Sequence, residues 1–565
     1  MLKLLAPDAA NPPIVLQVLH TINNTAESCC LATPEHSLDE ELLHTLYSFE
    51  TLRNLAILLT EQDRFGSEMP QVQLIADIVI NTCRKEHHRV LLDDASVLEA
   101  LAGHLKSWIA STFNPQVEDF YVRWEPRLSI RNLSDNEILR HSVVLHAIGV
   151  VISFSRTRAQ RLLSTCESIF QFMDQQFTIA WNQFTVNVPQ SLKGRVSRPP
   201  TCVECLVPTV PTLHLKIPQS HAVGYPPLDP IKTTARLGTR SLSTAVEIFS
   251  SHGLERIAHD ESPLIAWLIH MARTPDPLLS LSSAWLLAAL YQLGITGQPR
   301  ENDIALLVVP SLVRTLDRNF MLPVLQGTQS TISSGDRIRS NASATLARLT
   351  SNNPRTQKAA VDAGAIKNLS QLLRKSCDVW ERVDTNAMWR PSGFENSALS
   401  QHHDDSARLG PTGIAPQIYH KTRIRESALV ALAALASSKD EYRKAIIDSG
   451  VVPFVIRTLG AEEMQSIVPT ANEVIDSETI EKRIAQGICR ESILAACGFT
   501  RALSRSVGTL RTSLMDAGLV PPLFALLKSN DVSLKVHSTA AMCNLCMEFS
   551  PMQEVGTLFT FVAIV

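Results

Sequence analysis

The sequence is poor in aromatic residues and carries little net charge. Aromatic side chains make up 5% of the 565 residues, so any core must consist mainly of Leu, Ile, Val and Ala, a composition typical of stacked helices. The formal net charge is −3. This balance lacks the strongly basic field that draws a protein to nucleic acid. We therefore expect no nucleic-acid partner.

Long apolar runs are also missing. The longest, Val143 to Phe154, has 12 residues and includes His146, whereas a membrane span needs about 20. The run therefore predicts a buried helix, and we expect no membrane span. The apolar residues before Pro7 are too few for a secretory signal. The 11 cysteines are expected to be reduced core residues of a protein in the cytoplasm and nucleus.

Motifs that carry chemistry are absent as well. There is no Gly-rich phosphate loop, no Gly-x-Ser-x-Gly and no His-Glu-x-x-His. Cys202 and Cys205 form a lone Cys-x-x-Cys without the second pair that a structural zinc site requires. We interpret the pair His87-His88 and the cluster 402–405 (His-His-Asp-Asp) as solvated surface. The sequence thus predicts no catalytic residues, no cofactor and no metal, and the protein is expected not to be an enzyme.

The sequence does contain one segment in three similar copies. Each copy has a short apolar helix, then Asp, a small residue and Gly, two mostly apolar residues and a second helix. The copies are "KAAVDAGAIKNLSQLLR" from Lys358, "KAIIDSGVVPFVIRTLG" from Lys444 and "TSLMDAGLVPPLFALLK" from Thr512. A glycine in the left-handed conformation ends the first helix without a Cβ penalty.

The spacing of the copies becomes regular once two segments without helical periodicity are removed. Gly364 and Gly450 are 86 residues apart, and Gly450 and Gly518 are 68 apart. Without residues 376–420 and 461–486 these intervals become 41 and 42 residues. This period is typical of armadillo and HEAT repeats.

A single unit of this kind cannot bury its own apolar stripe, so units must stack. The sequence predicts an all-α fold, an armadillo/HEAT-like α-solenoid with long irregular insertions; an ordinary helical bundle is the alternative. The predicted organisation is N-terminal armadillo-like repeats at 1–184, a Pro-rich insertion at 185–236, further repeats at 237–555 with inserts at 376–420 and 461–486, and an atypical tail at 556–565.

The repeats resemble those of the armadillo family, in which the third helix of a unit often carries Trp and Asn four residues apart to hold an extended peptide. Trp285 falls on the Trp site, and Asn544 and Arg348 fall on the Asn site. No copy retains both residues, so a nuclear-import receptor is disfavoured. The resemblance makes Trp285, Asn544 and Arg348 candidate partner contacts on the concave face, with core packing as the alternative for Trp285.

Residues 501–529, "RALSRSVGTLRTSLMDAGLVPPLFALLKS", and 542–555, "MCNLCMEFSPMQEV", are similar to the armadillo scaffold subunit of the GID/CTLH ubiquitin ligase. "IRESALVALAALASSKDEYRKAII" and "VVPSLVRTL" fit the same subunit upstream. The resemblance covers about residues 260–554.

This resemblance implies a non-catalytic scaffold that links a substrate receptor to the RING-containing core. LisH/CTLH-domain subunits are further expected partners, and gluconeogenic enzymes are among the targets degraded by the proteasome. A nuclear-transport or adhesion-type armadillo adaptor that binds extended peptides is the alternative function.

Two further expectations concern segments outside the repeats. Members of this family continue with several more repeats, whereas here the sequence reads "GTLFTFVAIV" from Gly556; we expect a truncated or mis-spliced gene model. The long inserts are typical of a fungal version. Trp380 and Trp389 in the 376–420 insert either bind a partner or pack the insert against its own repeat.

Overall fold

The regular structure is entirely helical in the part of the chain that the computed structural model describes. The described residues are 5, 11–31, 43–61, 65–66, 68–112, 133–187, 206, 262–296, 298–317, 331–377, 416–460, 490–529 and 531–546. The helices are α1 (Pro12–Leu31), α2 (Phe49–Thr60), α3 (Pro70–Thr82), α4 (Glu86–Asp94), α5 (Val97–Thr112), α6 (Asp135–Ile152), α7 (Arg156–Asn187), α8 (Pro263–Met271), α9 (Pro277–Gln292), α10 (Gln298–Asp303), a π-helical segment (Ile304–Val308), α11 (Val309–Leu316), α12 (Thr331–Thr350), α13 (Pro354–Asp362), α14 (Ala365–Cys377), α15 (Pro416–Ala436), α16 (Asp440–Asp448), α17 (Val452–Leu459), α18 (Arg490–Ser504), α19 (Gly508–Asp516), α20 (Val520–Leu527) and α21 (Val532–Leu545).

The three copies of the repeated segment fold as predicted. The first helices α13, α16 and α19 each have 9 residues. Each is followed by a glycine with positive φ: +87° at Gly364, +74° at Gly450 and +88° at Gly518. Their N–H groups each donate to a carbonyl of the preceding helix at 2.9 Å. The glycine therefore closes the first helix and turns the chain into the second.

A fourth copy escaped the sequence interpretation because a serine replaces the glycine. Helix α4 also has 9 residues, and Ser96 follows it at the same offset with a φ of 62°. Between α10 and α11 the corner is absent, and the π-helical segment joins the first helix to the second. The same unit is thus built with three different corners.

Three of the third helices, α6, α9 and α21, begin at polar side-chain caps. Asp276 accepts hydrogen bonds from the Leu278 and Leu279 N–H groups at 3.0 and 2.9 Å, which fixes the start of α9. Asp531 does the same for α21, and Ser134 forms a capping box with Glu137 at the start of α6. Such caps satisfy N–H groups that have no partner within the helix.

The third helices form one continuous layer, in which each helix packs against the next. The layer consists, in order, of α1, α3, α6, α9, α12, α15, α18 and α21. Its core is made largely of Leu, Ile, Val and Ala side chains. The predicted fold, an all-α armadillo-type solenoid, is confirmed.

The layer is strongly curved. Neighbouring packed helices lie about 8–10 Å apart, so α3 and α12, separated by α6 and α9, would be roughly 25–30 Å apart in a flat layer. Nevertheless Arg337 of α12 reaches Asp77 of α3, with 3.6 Å between Nη2 and Oδ1. The third-helix layer therefore forms the concave side, and it bends sharply around α9. We call this sharply bent part of the layer the pinched region.

The described helices also bear on the predicted boundaries. Helix α7 extends to Asn187, and the predicted 376–420 insert is helical at both ends because α14 ends at Cys377 and α15 begins at Pro416. Most of 185–236, together with 378–415, 461–486 and 556–565, lies outside the described residues.

Among the described helices, no single one meets the length and apolarity criteria for a bilayer span. The pair Gly508–Asp516 and Val520–Leu527 meets them jointly by composition and is bent by 83°.

Candidate partner-binding surface

Trp285 lies at the centre of the pinched region. Only 8% of its surface is exposed. The ring of His146 from α6 stacks on the indole, with centroids 4.6 Å apart and planes at 25°. Arg348 from α12 places its guanidinium carbon 3.9 Å from the centroid of the same indole. Three consecutive third helices thus contribute one stacked column.

The column depends on the glycine at position 149. A Cβ atom there would lie 2.6 Å from Cδ1 and 2.8 Å from Nε1 of Trp285. These distances are well inside van der Waals contact, so only glycine allows α6 to approach the indole this closely. Gly149 is therefore a packing residue of the layer.

His146 is uncharged in the folded protein. Burial lowers its pKa to about 3, and the nearby charges of Arg337 and Arg348 act in the same direction. A protonated imidazole would be favoured by a nearby carboxylate, whereas the groups around this ring are the Trp285 indole and the two arginines. The column therefore carries a single positive charge, that of Arg348.

The three predicted partner contacts do not form one site. Trp285 and Arg348 are in contact, whereas Asn544 lies on α21 and donates from Nδ2 to the Arg501 carbonyl and to Ser504 Oγ, both at 3.2 Å. Asn544 thus holds two adjacent third helices together. Core packing, the alternative for Trp285, describes its environment in this structure, and partner contact by all three residues stays a prediction.

Helix α9 presents little surface on the concave side. Its residues from Leu279 to Leu290 are all buried. The residue four positions after Trp285, Ala289, is 2% exposed. A groove running along the third helices is therefore closed where it meets α9.

Three arginines meet at the C-terminal end of α6. The Nε of Arg89 donates to the Val150 carbonyl at 3.0 Å, and Nη2 of Arg158 donates to the Ser153 carbonyl at 3.0 Å. Nη1 of Arg348 donates to Ser153 Oγ at 3.4 Å. We call Arg89, Arg158 and Arg348 the arginine cluster. The negative end of the α6 dipole, equivalent to about half a charge, attracts these cations.

One carboxylate serves the arginine cluster. Glu86 lies 2.7 Å from Arg158 and 3.4 Å from Arg89. No carboxylate of the described residues is within ion-pair distance of Arg348. Burial, with a further contribution from the charge of Arg89, lowers the pKa of Arg348 to about 10. The cluster therefore keeps an excess of positive charge.

An exposed aromatic ring adjoins the arginine cluster. Phe154, in the turn between α6 and α7, has a φ of 66° and is 74% exposed. A bulky residue with positive φ is a backbone outlier. The guanidinium carbon of Arg89 lies 5.2 Å from the centroid of its ring. The surface thus combines cations with an apolar side chain.

Sequence reasoning singled out Arg348 and missed Arg89, Arg158 and Phe154. The cluster was not evident from the sequence, because its residues lie on helices far apart in the chain. Part of the cluster did have a local signal: "SFSR" (153–156) follows the end of α6 at Ile152, and helix α7 begins at Arg156. The pairing with Arg348 has no local signature.

The interpretation of His87 and His88 as solvated residues is wrong for His88. Its ring is buried and stacks on Tyr47 at a centroid distance of 3.9 Å, while His87 is exposed. Cys202, Cys205 and the 402–405 cluster lie outside the described residues. Within the described part of the chain, no group of three or more His, Cys, Asp or Glu residues could hold a metal ion.

Comparison with known proteins agrees with this geometry. The Armadillo/beta-catenin-like repeat family model matches residues 511–547, which include α20, α21 and most of α19. The chain therefore contains an armadillo repeat at residues 511–547, in agreement with its armadillo-type fold. GID complex subunit 5 of Schizosaccharomyces pombe is 30% identical over 308 residues, which are 54% of this chain and 31% of that protein.

Further relatives carry the same repeat. Armadillo repeat-containing protein 8 of Danio rerio is 29% identical over 138 residues, covering 24% of this chain and 16% of that protein. Its Mus musculus counterpart is 38% identical over 85 residues, covering 14% and 13%. The resemblance to the armadillo subunit of GID/CTLH ligases is confirmed. The chain spans about a third of the length of the first relative, or 31%.

Proposed function

We propose that this chain is a non-catalytic scaffold of a GID/CTLH-type ubiquitin ligase. The observation that carries the proposal is the 308-residue similarity to GID complex subunit 5, combined with an armadillo layer that is continuous from α1 to α21. A scaffold acts by holding partners in a fixed relative orientation, and stacked repeats provide an extended, rigid surface for that purpose.

Polar contacts between repeats support the rigidity that a scaffold needs. Gln357 of α13 donates from Nε2 to the Ala434 carbonyl and to Ser437 Oγ, both at 3.0 Å. Arg374 of the second helix α14 donates to the carbonyl of Ser449, at the end of the first helix α16 of the next repeat, at 2.9 Å. Gln357 itself is buried, so leaving its amide unpaired would be costly, and its hydrogen bonds help fix the register of one repeat on the next.

In the finer form of the proposal, the chain links a substrate receptor to the RING-containing core in the cytoplasm and nucleus. LisH/CTLH-domain subunits would contact it directly, and recruited targets such as gluconeogenic enzymes would be ubiquitylated and degraded. This form derives from the family resemblance. The chain contributes a surface and no reacting group.

A nuclear-transport or adhesion-type adaptor is the second candidate. Such an adaptor would bind an extended peptide along the third helices, with Trp and Asn side chains repeating along the groove. Here the groove is closed at α9, and Trp285 is covered by His146 and Arg348. This closure favours a scaffold over a continuous peptide-binding groove.

Affinity purification of the tagged full chain from its own cells, followed by mass spectrometry, tests the proposal. We expect recovery of LisH/CTLH-domain and RING-domain proteins in amounts comparable to the bait. A matched bait with Gly450 replaced by Pro should lose them, because proline cannot adopt the positive φ of this corner. Importins or cadherin-type tails in place of the ligase subunits would refute the proposal.

A further inference from the structure

Arg348 is a partly buried cation without a carboxylate partner among the described residues. Its contacts are the indole of Trp285, with the guanidinium carbon 3.9 Å from the ring centroid, and Ser153 Oγ at 3.4 Å. The indole face and the α6 dipole offset part of the cost of burial. Neither provides a full negative charge, and an unpaired buried ion is among the costlier features of a fold.

The charged residues around Arg348 also leave it without a carboxylate partner. Arg158 is 4% exposed and takes the shorter contact to Glu86, at 2.7 Å. Arg89 has the longer one, at 3.4 Å, and keeps 11% of its side chain exposed. Arg348 is also partly exposed. Arg348 and, to a smaller extent, Arg89 thus keep some solvent exposure at one end of α6, and among the described residues no carboxylate pairs with Arg348.

Phe154 adds a second, independent feature at the same place. Holding a phenylalanine at a positive φ strains the backbone, and the side chain remains 74% exposed. Glycine would avoid both costs at this turn. Strain in an exposed aromatic residue is typical of a surface that serves binding.

We propose that the arginine cluster and Phe154 form a docking site for an acidic segment of a partner protein. A carboxylate of that segment would bind Arg348 and Arg89 together, since guanidinium groups recognise carboxylates with paired hydrogen bonds. A neighbouring apolar side chain would pack on Phe154. The exposed ring favours a peptide over a free anion, because a small anion gains nothing from an apolar surface.

This site goes beyond the proposed scaffold and does not depend on which complex contains the chain. The measurement below uses the purified full chain alone, whereas the proposed function is tested by co-purification. Either can therefore fail without the other.

Fluorescence anisotropy with a labelled decapeptide carrying four acidic residues around one phenylalanine tests the site. The comparison peptide has Asn and Gln in place of Asp and Glu, and a third has phosphoserines in place of the acidic residues. We expect the acidic peptide to bind at least tenfold more tightly than the neutral one. Binding of the phosphopeptide alone would overturn the proposal, as would equal affinity of acidic and neutral peptides.

Matched variants locate the binding. Arg348→Met should weaken the acidic peptide at least tenfold, whereas Arg490→Met removes an equal charge from an exposed arginine on α18 and should change affinity less than twofold. Phe154→Gly should weaken binding about threefold to tenfold. Equal effects of the two arginine variants would contradict the proposal.

The denaturation midpoint distinguishes a binding role of these residues from a structural one. A cation kept for binding contributes little to folding, so Arg348→Met and Phe154→Gly should unfold at a denaturant concentration equal to or above that of the wild type. If both variants unfold earlier and bind the acidic peptide as the wild type does, the arginine cluster is structural and the proposal is wrong.

Discussion

Replacing Gly149 by alanine tests the packing of the concave layer. Two effects oppose each other. Alanine in place of glycine within a helix is worth about 0.5–1 kcal/mol in favour of folding. The new Cβ, however, would lie 2.6 Å from the Trp285 ring, and overpacking of a filled core costs about 1–3 kcal/mol.

The steric effect should prevail because the indole cannot move away. Its neighbours are the stacked ring of His146 and the guanidinium of Arg348, and α9 is buried on all sides. We therefore expect Gly149→Ala to lower the local free energy of unfolding by about 1 kcal/mol net.

Hydrogen exchange with mass spectrometry on peptides from α9 measures this effect directly. A loss of about 1 kcal/mol corresponds to roughly fivefold faster exchange. The control is Gly103→Ala in α5, where a Cβ meets nothing within 4 Å; there the helix effect acts alone, and exchange should slow in α5. Unchanged or slower exchange in α9 of Gly149→Ala would refute the packing argument.

Three further predictions concern the corners, a histidine and a cysteine. Ser96→Gly should stabilise the chain by about 1 kcal/mol, and Gly450→Ala should destabilise it by a similar amount. Both changes are measured from denaturation midpoints. Shifts of both midpoints in the same direction would contradict the equivalence of the two corners. Burial lowers the pKa of His146 to about 3, so the folded state binds fewer protons than the unfolded one and stability should fall as the pH drops from about 6.5 towards 3. His146→Phe should flatten that fall, and an unchanged pH profile of the denaturation midpoint would contradict it. Cys543 is exposed and should react with iodoacetamide first among the described cysteines in the native protein; earlier labelling of buried Cys166, whose pKa is raised to about 12 by burial, would show that the core opens there.

Much of the repeat architecture was predictable because it is encoded locally. The Asp-small-Gly corner fixes where one helix ends and the next begins, and Gly364, Gly450 and Gly518 all have the positive φ that the motif requires. Ser96 escaped prediction because serine only rarely occupies this conformation. The corner between α10 and α11 had no motif to detect.

The concave surface was less predictable because it depends on contacts between distant helices. Trp285 was recognised by its position in the third helix, yet its burial results from the curvature of the layer, which brings α3 and α12 into contact through Asp77 and Arg337. The meeting of Arg89 with Arg348 has the same origin. Periodicity shows which residues share a helix face, but it does not show how far a stack of helices bends.

The proposed function is tested most directly by reconstitution. The full chain would be co-expressed with the LisH/CTLH-domain and RING-domain proteins of the same organism, and the purified material examined by native mass spectrometry. We predict a stoichiometric complex of this chain with the ligase subunits. The complex should dissociate only on denaturation. A chain that remains folded by circular dichroism but is recovered free of the ligase subunits would contradict the proposal.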